Sequence, residues 1–451
     1  MRSRTVDIAV ADGRDTSQHL DEDWKAKAAQ PQDAFGDEEF AEVKYKTLTW
    51  WQGGLLLVAE TISLGILSLP AAVAKLGLAP AIIILVGLGL LASYTGYVIG
   101  QYKIRHPHIS SIADAGEVLM GRFGRELFTF ANILFLVFIM ASHLLTFTVA
   151  MNTITRHATC SLVFGIVGMI ISLILSLPRT LKKVSWLSMI SFASIVGAVF
   201  ITMVAVGVQH KGKLVEATTT PSLVTGFTSA ANIVFSFSTH NTFFTFIAEL
   251  SDPSDFPKSL ALLQIIDISI YVIAAVVIYR FAGPGVASPA LGSAGTLISK
   301  IAYGVALPTI AIAGVIVGHV AAKLIYLRVF ANTDRMHKRD WIAIGSWVGI
   351  CVGLWVIAWV IASAIPVFSN LLSLIVSLFA SWFSFVFTGA FWFHMNRGRW
   401  FSSPTKILLT CVNLFSICVG LVLCGLGLYT SGKAIHDDKS SASFSCADNS
   451  G

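Results

Sequence analysis

The sequence predicts an all-α integral membrane protein of about eleven transmembrane helices, and three observations carry that prediction. Hydrophobic residues make up 55% of the 451, only 12% are charged, and the mean hydropathy is +0.75. A soluble chain carries roughly 25% charged residues, because a water-facing surface needs polar groups to cover it. The apolar residues fall in runs of about 20, the length at which a helix crosses the hydrocarbon layer. The basic residues gather in alternate connecting segments. Helices are the expected form, since every backbone amide in lipid must be satisfied internally.

Residues 1–48 open the chain with eleven acidic and seven basic residues and no apolar signal segment. They read as a disordered cytoplasmic tail. The apolar runs follow at 49–75, 79–101, 126–151, 157–177, 184–208, 223–250, 261–281, 301–328, 342–366, 370–394 and 405–430, so the membrane domain spans 49–430. With the N-terminus inside, the cytoplasmic loops hold Lys103, Arg105, Arg122, Arg125, Arg179, Lys182, Lys183, Lys258, Arg335, Lys338, Arg339, Arg397, Arg399 and Lys406. The opposite loops hold only Lys75, Arg156, Lys211 and Lys213, with Arg280 and Lys300 at span borders. That asymmetry is a positive-inside signal, and an odd number of crossings leaves 431–451 as a short non-cytoplasmic tail. The net charge of +6 is thereby explained by topology, and nucleic acid is not an expected partner.

Two of the runs are interrupted. The first contains Glu60-Thr61-Ile62-Ser63-Leu64-Gly65-Ile66-Leu67-Ser68-Leu69-Pro70. Pro70 cannot donate to the carbonyl four residues back, and Gly65 lowers the cost of leaving helical geometry. The sixth contains Asn232-Ile233-Val234-Phe235-Ser236-Phe237-Ser238-Thr239-His240-Asn241-Thr242, a polar stretch where lipid demands apolar residues. Ser, Thr and Asn compete for backbone hydrogen bonds, so this run too is expected to unwind at mid-depth. The two stand five apart and enter from opposite sides, as in two inverted five-helix repeats whose broken helices meet near the midplane. Half-helix N-termini there offer amides to a carboxylate, and freed carbonyls suit an ammonium.

At these residues the sequence resembles a known family. Glu60–Pro70 with Ala71-Ala72-Val73, and Phe235–Asn241 leading to Glu249-Leu250-Ser251-Asp252-Pro253, look like the amino acid/auxin permeases. The match is nearest to fungal neutral amino acid permeases of the methyltryptophan-resistance type. Phe35-Gly36-Asp37-Glu38-Glu39 and Tyr45–Trp51 are similar to that subgroup as well. The resemblance implies a LeuT-type fold and proton-driven uptake of neutral aliphatic and aromatic amino acids. Carried onto this chain, it implies carboxylate binding by amides around Ser63, Leu64, Gly65 and Ile66. The ammonium would meet carbonyls near Ala59 and Phe235 and the hydroxyls of Ser236 and Ser238, with Phe235 and Phe237 walling the pocket. Sodium-coupled relatives tend to carry an amide at the position of Glu60, so the carboxylate here speaks against sodium.

An ionisable group at mid-membrane is costly and therefore a functional candidate. Glu60, immediately before the first break, is the leading proton carrier; its alternative is capping the freed amides. His143, His240 and His319 follow, because histidine titrates near ambient pH, although a buried histidine is more often a packing residue. Lys323 either snorkels to the headgroups or occupies the place of sodium in relatives. Asp267 is expected to reach the interface. The small-residue rows Ala92, Gly96, Gly100 and Gly314, Gly318 read as packing faces.

Other functions fit less well. A vacuolar exporter of the same fold has the same sequence pattern, and a receptor-like sensor lacks a tail long enough for a signalling domain. No H-E-x-x-H, G-x-S-x-G or P-loop pattern points to an enzyme, and no cofactor beyond the proton gradient is implied. The six cysteines show no C-x-x-C pair and no ligand grouping with histidine, so neither a metal site nor a disulfide is expected. Lys25, Lys27, Lys44 and Lys46 are candidate acceptors for ubiquitin-ligase machinery.

Overall fold

A computed structural model describes residues 46–178, 184–209, 215–330, 341–437 and 442–449. The N-terminal tail up to residue 45, with Lys25, Lys27 and Lys44, lies outside them. So do the loop residues Arg179, Lys182, Lys183, Lys211, Lys213, Arg335, Lys338 and Arg339. The described residues are nearly all helical; their one β feature is a parallel bridge between Leu48 and Leu250.

The helices are α1 Trp50–Thr61, α2 Gly65–Leu76, α3 Leu78–Arg105, α4 Ile112–Thr155, α5 Ser161–Ser176, α6 Val184–Val208 and α7 Leu223–Phe235. They continue as α8 Phe243–Glu249, α9 Phe256–Ala282, α10 Thr296–Val329, α11 Trp341–Ala364, α12 Phe368–Ala380, α13 Trp382–Met395 and α14 Pro404–Asp437. Each expected apolar run has a helix or a broken helix in it. Among the described residues, seven helices are long and apolar enough to cross a membrane, and nine crossings result if α1/α2 and α12/α13, bent by 59° and 40°, each count once. The 16-residue α5 and the interrupted α7/α8 occupy the other two ranges, so a count of eleven rests on reading these as crossings too.

Local sequence sets the ends. Ser111 caps α4: its hydroxyl accepts from the Asp114 amide at 3.3 Å, while the Asp114 carboxylate accepts from the Ser111 amide at 3.0 Å. Gly77 opens α3 at φ +84°, and a β-carbon there would meet the backbone of Thr218 and Thr219 at 2.7–2.8 Å. Only glycine meets both demands.

The broken pair α1/α2 packs against α9, with α2 also against α7; α4, α6, α10 and α11 form a second packed group. The small-residue faces admit bulky neighbours: a β-carbon on Gly96 would meet Phe243 at 2.9 Å, and one on Gly314 would meet His143 at 2.9 Å. Large apolar side chains such as Ile83, Leu90, Phe200 and Ile265 point outward, as a lipid-facing surface requires.

The last helix runs past the end of its apolar run, to Asp437. One expectation is corrected. Cys160 and Cys446 form a disulfide across 286 residues. It ties the segment 442–449 over the ends of α4, α5 and α11, where Ser161 donates to the Ala447 carbonyl and the Phe444 amide to that of Ser363. The pairing depends on the tail folding back, which local cysteine spacing does not encode.

Candidate functional site

The first span stops being helical at Ile62. Its amide still bonds the Val58 carbonyl at 2.9 Å, but the Ser63 amide turns to Thr61 at 3.0 Å, which releases the Ala59 carbonyl from its usual helical donor. Helix restarts at Gly65, so the amides of Leu64, Gly65 and Ile66 head α2, where no preceding turn can accept from them. Ser63 therefore differs from the other three amides expected at the site, since its N–H is already engaged. Pro70 lies inside α2 rather than at the break, and the break precedes it by one and a half turns.

The sixth span leaves α-geometry at Ser236 and descends through tight turns: Ser236, Phe237 and Ser238 donate to Ile233, Val234 and Phe235 at 3.0–3.2 Å. The Phe235 carbonyl thus already accepts one bond. Ser238 turns its hydroxyl back to the Val234 carbonyl at 2.7 Å. Phe237 packs edge-on against Tyr271, at 5.4 Å between ring centres, and its ring also reaches the Gly89 position on α3; Phe235 is half-buried.

The two breaks touch. A β-carbon on Gly65 would lie 2.8 Å from both the α-carbon and the hydroxyl of Ser236, so glycine is what permits this approach. The Thr61 and Thr239 hydroxyls are 3.4 Å apart. Tyr271, on α9, offers its hydroxyl to the Thr61 carbonyl at 3.2 Å and to the Ser236 carbonyl at 3.0 Å. One phenolic proton shared between the Thr61 carbonyl, which also accepts from the Ser63 amide, and the Ser236 carbonyl holds both unwound segments to a third helix. The Ser63 hydroxyl is buried without a partner among the described residues.

The ionisable candidates are dispersed. Glu60 ends α1 beside the break, with Glu249 as its charged neighbour and Lys323 in turn near Glu249. Lys323 is exposed on α10. His240 adjoins the second break, where its Nε2 bonds the Thr95 hydroxyl at 2.9 Å and the Ala92 carbonyl at 3.1 Å on α3. His143 bonds the Ile310 carbonyl at 3.0 Å, joining α4 to α10, and His319 packs edge-on against Trp347. The His143 bond is thus to α10 and not to either break. Asp267 departs from expectation: it does not reach the interface but is 0% exposed.

Tyr271 was not among the residues the sequence singled out. Its signal was present, however, because Gln264, Asp267 and Tyr271 interrupt an apolar run at spacings of three and four.

Residues 46–432, from the segment before the first break to the last helix, match the family described as transmembrane amino acid transporter protein. The chain belongs to that family. It is 40% identical over 419 residues to an N amino acid transport system protein of Neurospora crassa, covering 90% of this chain and 89% of that one. It is 30% identical over 423 residues to a transmembrane transporter of Gibberella moniliformis, at 91% and 89% coverage. Among solved structures, MhsT in complex with L-phenylalanine aligns over 84% of this chain and all of that one, with 13% identity and a TM-score of 0.50. This transmembrane amino acid transporter accordingly has a LeuT-type fold, and it is a membrane transporter rather than an enzyme.

Proposed function

We propose that the protein takes up neutral aliphatic and aromatic L-amino acids by proton symport, with alternating access around a midplane site between α1/α2 and α7/α8. The contact of Gly65 with Ser236 carries this reading, because it brings the open amides of one broken helix to the carbonyls of the other. A zwitterion supplies the two complementary charges: its carboxylate suits the positive end of α2 at Leu64, Gly65 and Ile66, and its ammonium suits the Ala59 carbonyl. Ser63 adds an uncommitted hydroxyl. The apolar core against which Phe235 packs supports a neutral side chain, and the N amino acid transport system relative supports an amino acid as the substrate. L-phenylalanine bound to MhsT, a protein of the same fold, agrees with an aromatic substrate.

Glu60 is the proposed proton carrier, since it stands at the break and can respond to a change of access. The orientation has the N-terminus cytoplasmic. Disulfides persist in oxidising compartments, so the Cys160–Cys446 bond supports an external position for the C-terminal segment. The plasma membrane is the proposed location. Uptake of a panel of radiolabelled amino acids into proteoliposomes, under an imposed pH or sodium gradient, tests substrate and ion together. Accumulation driven by sodium alone, or restricted to charged amino acids, would overturn this assignment.

A further inference from the structure

The helix that clasps the breaks carries more polarity than the clasp needs. Gln264, Asp267 and Tyr271 share one face of α9, and all three are buried, at 5%, 0% and 0% exposure. Neither Asp267 carboxyl oxygen has a hydrogen-bond partner among the described residues, and the Gln264 Oε1 has none either. Gln264 lies beneath a lipid-facing groove of about 500 Å³ between α3 and α9, lined also by Leu90, Ser93, Tyr97 and Ile265. At the other end of the row Tyr271 bonds both breaks. Seven residues of helix span about 10 Å, so this polar row runs along α9 to the unwound segments, with Asp267 one turn from Tyr271.

Two unpartnered carboxyl oxygens in a dry interior are tolerable on a neutral acid and very costly on an anion. Ionisable groups on neighbouring elements do not relieve this. They are Glu60 and Lys75 on the first span, Tyr94, Tyr97, Tyr102, Lys103 and Arg105 on α3, His240 and Glu249 around the second break, and Asp255 before α9. No hydrogen bond joins any of them to Asp267. On α6, residues 184–208 contain no ionisable side chain.

We propose that Asp267 is a second proton-binding site of the transport cycle, protonated while Tyr271 clasps the breaks and deprotonated when they part and water reaches it. On release the proton passes to that water and leaves the carboxylate, so one proton is delivered for each loading. This rests on the proton-symport reading and adds to it a residue.

The test compares wild type, Asp267→Asn and Asp267→Glu in proteoliposomes with L-phenylalanine as the probe. Asp267→Asn mimics the neutral acid. It is expected to weaken pH-driven accumulation while counterflow persists with a displaced pH dependence, that of Glu60 alone. Infrared difference spectra between acid and alkaline buffer should lose one protonated-carboxyl band in Asp267→Asn and show it displaced in Asp267→Glu. A wild-type pH profile and an intact band in Asp267→Asn would overturn the proposal. Should that variant fail to fold, Asp267→Glu decides: a displaced pH optimum supports the site, and an unchanged one removes it. Absence of pH-driven accumulation in the wild type is a different result, which overturns the symport reading itself.

Discussion

Gly65 and Ser236, 171 positions apart in the chain, approach so closely that no side chain fits between them. This contact joins the two points at which helical hydrogen bonding fails, so the freed peptide groups of both spans lie close together. Most consequences for transport start there.

Replacing Gly65 with alanine places a β-carbon 2.8 Å from the Ser236 α-carbon, which is backbone and cannot rotate away. Gly65→Ala is expected to weaken substrate binding by about tenfold or more, or ~1.4 kcal/mol. Substrate-dependent thermal shift of the purified protein measures it. Near-normal apparent affinity would move the substrate away from this junction.

Tyr271→Phe removes one hydroxyl and keeps the ring beside Phe237. Two buried carbonyls, of Thr61 and Ser236, then lose a donor. A loss of about 1–3 kcal/mol in stability of the clasped state is expected from such an omission. Hydrogen exchange at residues flanking both breaks should rise together; protection unchanged at either break would show that the clasp contributes nothing to it.

Glu60→Gln should abolish accumulation driven by a pH gradient while protein folding and membrane insertion remain normal. Replacing sodium with choline should leave wild-type uptake unaltered. Undiminished pH-driven uptake in the variant would transfer the coupling role from Glu60 to another group, and a strong dependence on sodium would discard proton symport.

The Cys160–Cys446 bond gives a check on orientation. In intact cells, a membrane-impermeant maleimide should label both cysteines only after an impermeant reductant, and Cys160→Ser should expose Cys446 to labelling without reduction. Labelling that appears only after permeabilisation would place this end of the molecule in the cytoplasm.

Much of this site was legible before folding. The run Glu60–Pro70 and the polar stretch Asn232–Thr242 announce interrupted helices because both violate what lipid allows, a rule that acts on each segment independently of its neighbours. The break follows Glu60, as the sequence reading has it, at Ile62–Leu64, and Pro70, the strongest helix breaker in the motif, is accommodated inside α2. The approach of Gly65 to Ser236 was not legible, because contacts at such sequence separation leave no local trace. Among the histidines, residue type suggested titration for all three, yet His143 and His319 are occupied in joining helices.

Membrane residence, helical character, the two interrupted spans and the family were fixed by sequence alone, because hydropathy and backbone satisfaction operate over a dozen or so consecutive residues. Tertiary structure alone decided that Gly65 meets Ser236, that Tyr271 holds both breaks, that Asp267 is sealed from water, and that Cys446 returns to Cys160. Each of these pairs or encloses groups far apart in the chain, and only the packing of whole helices determines which of them become neighbours.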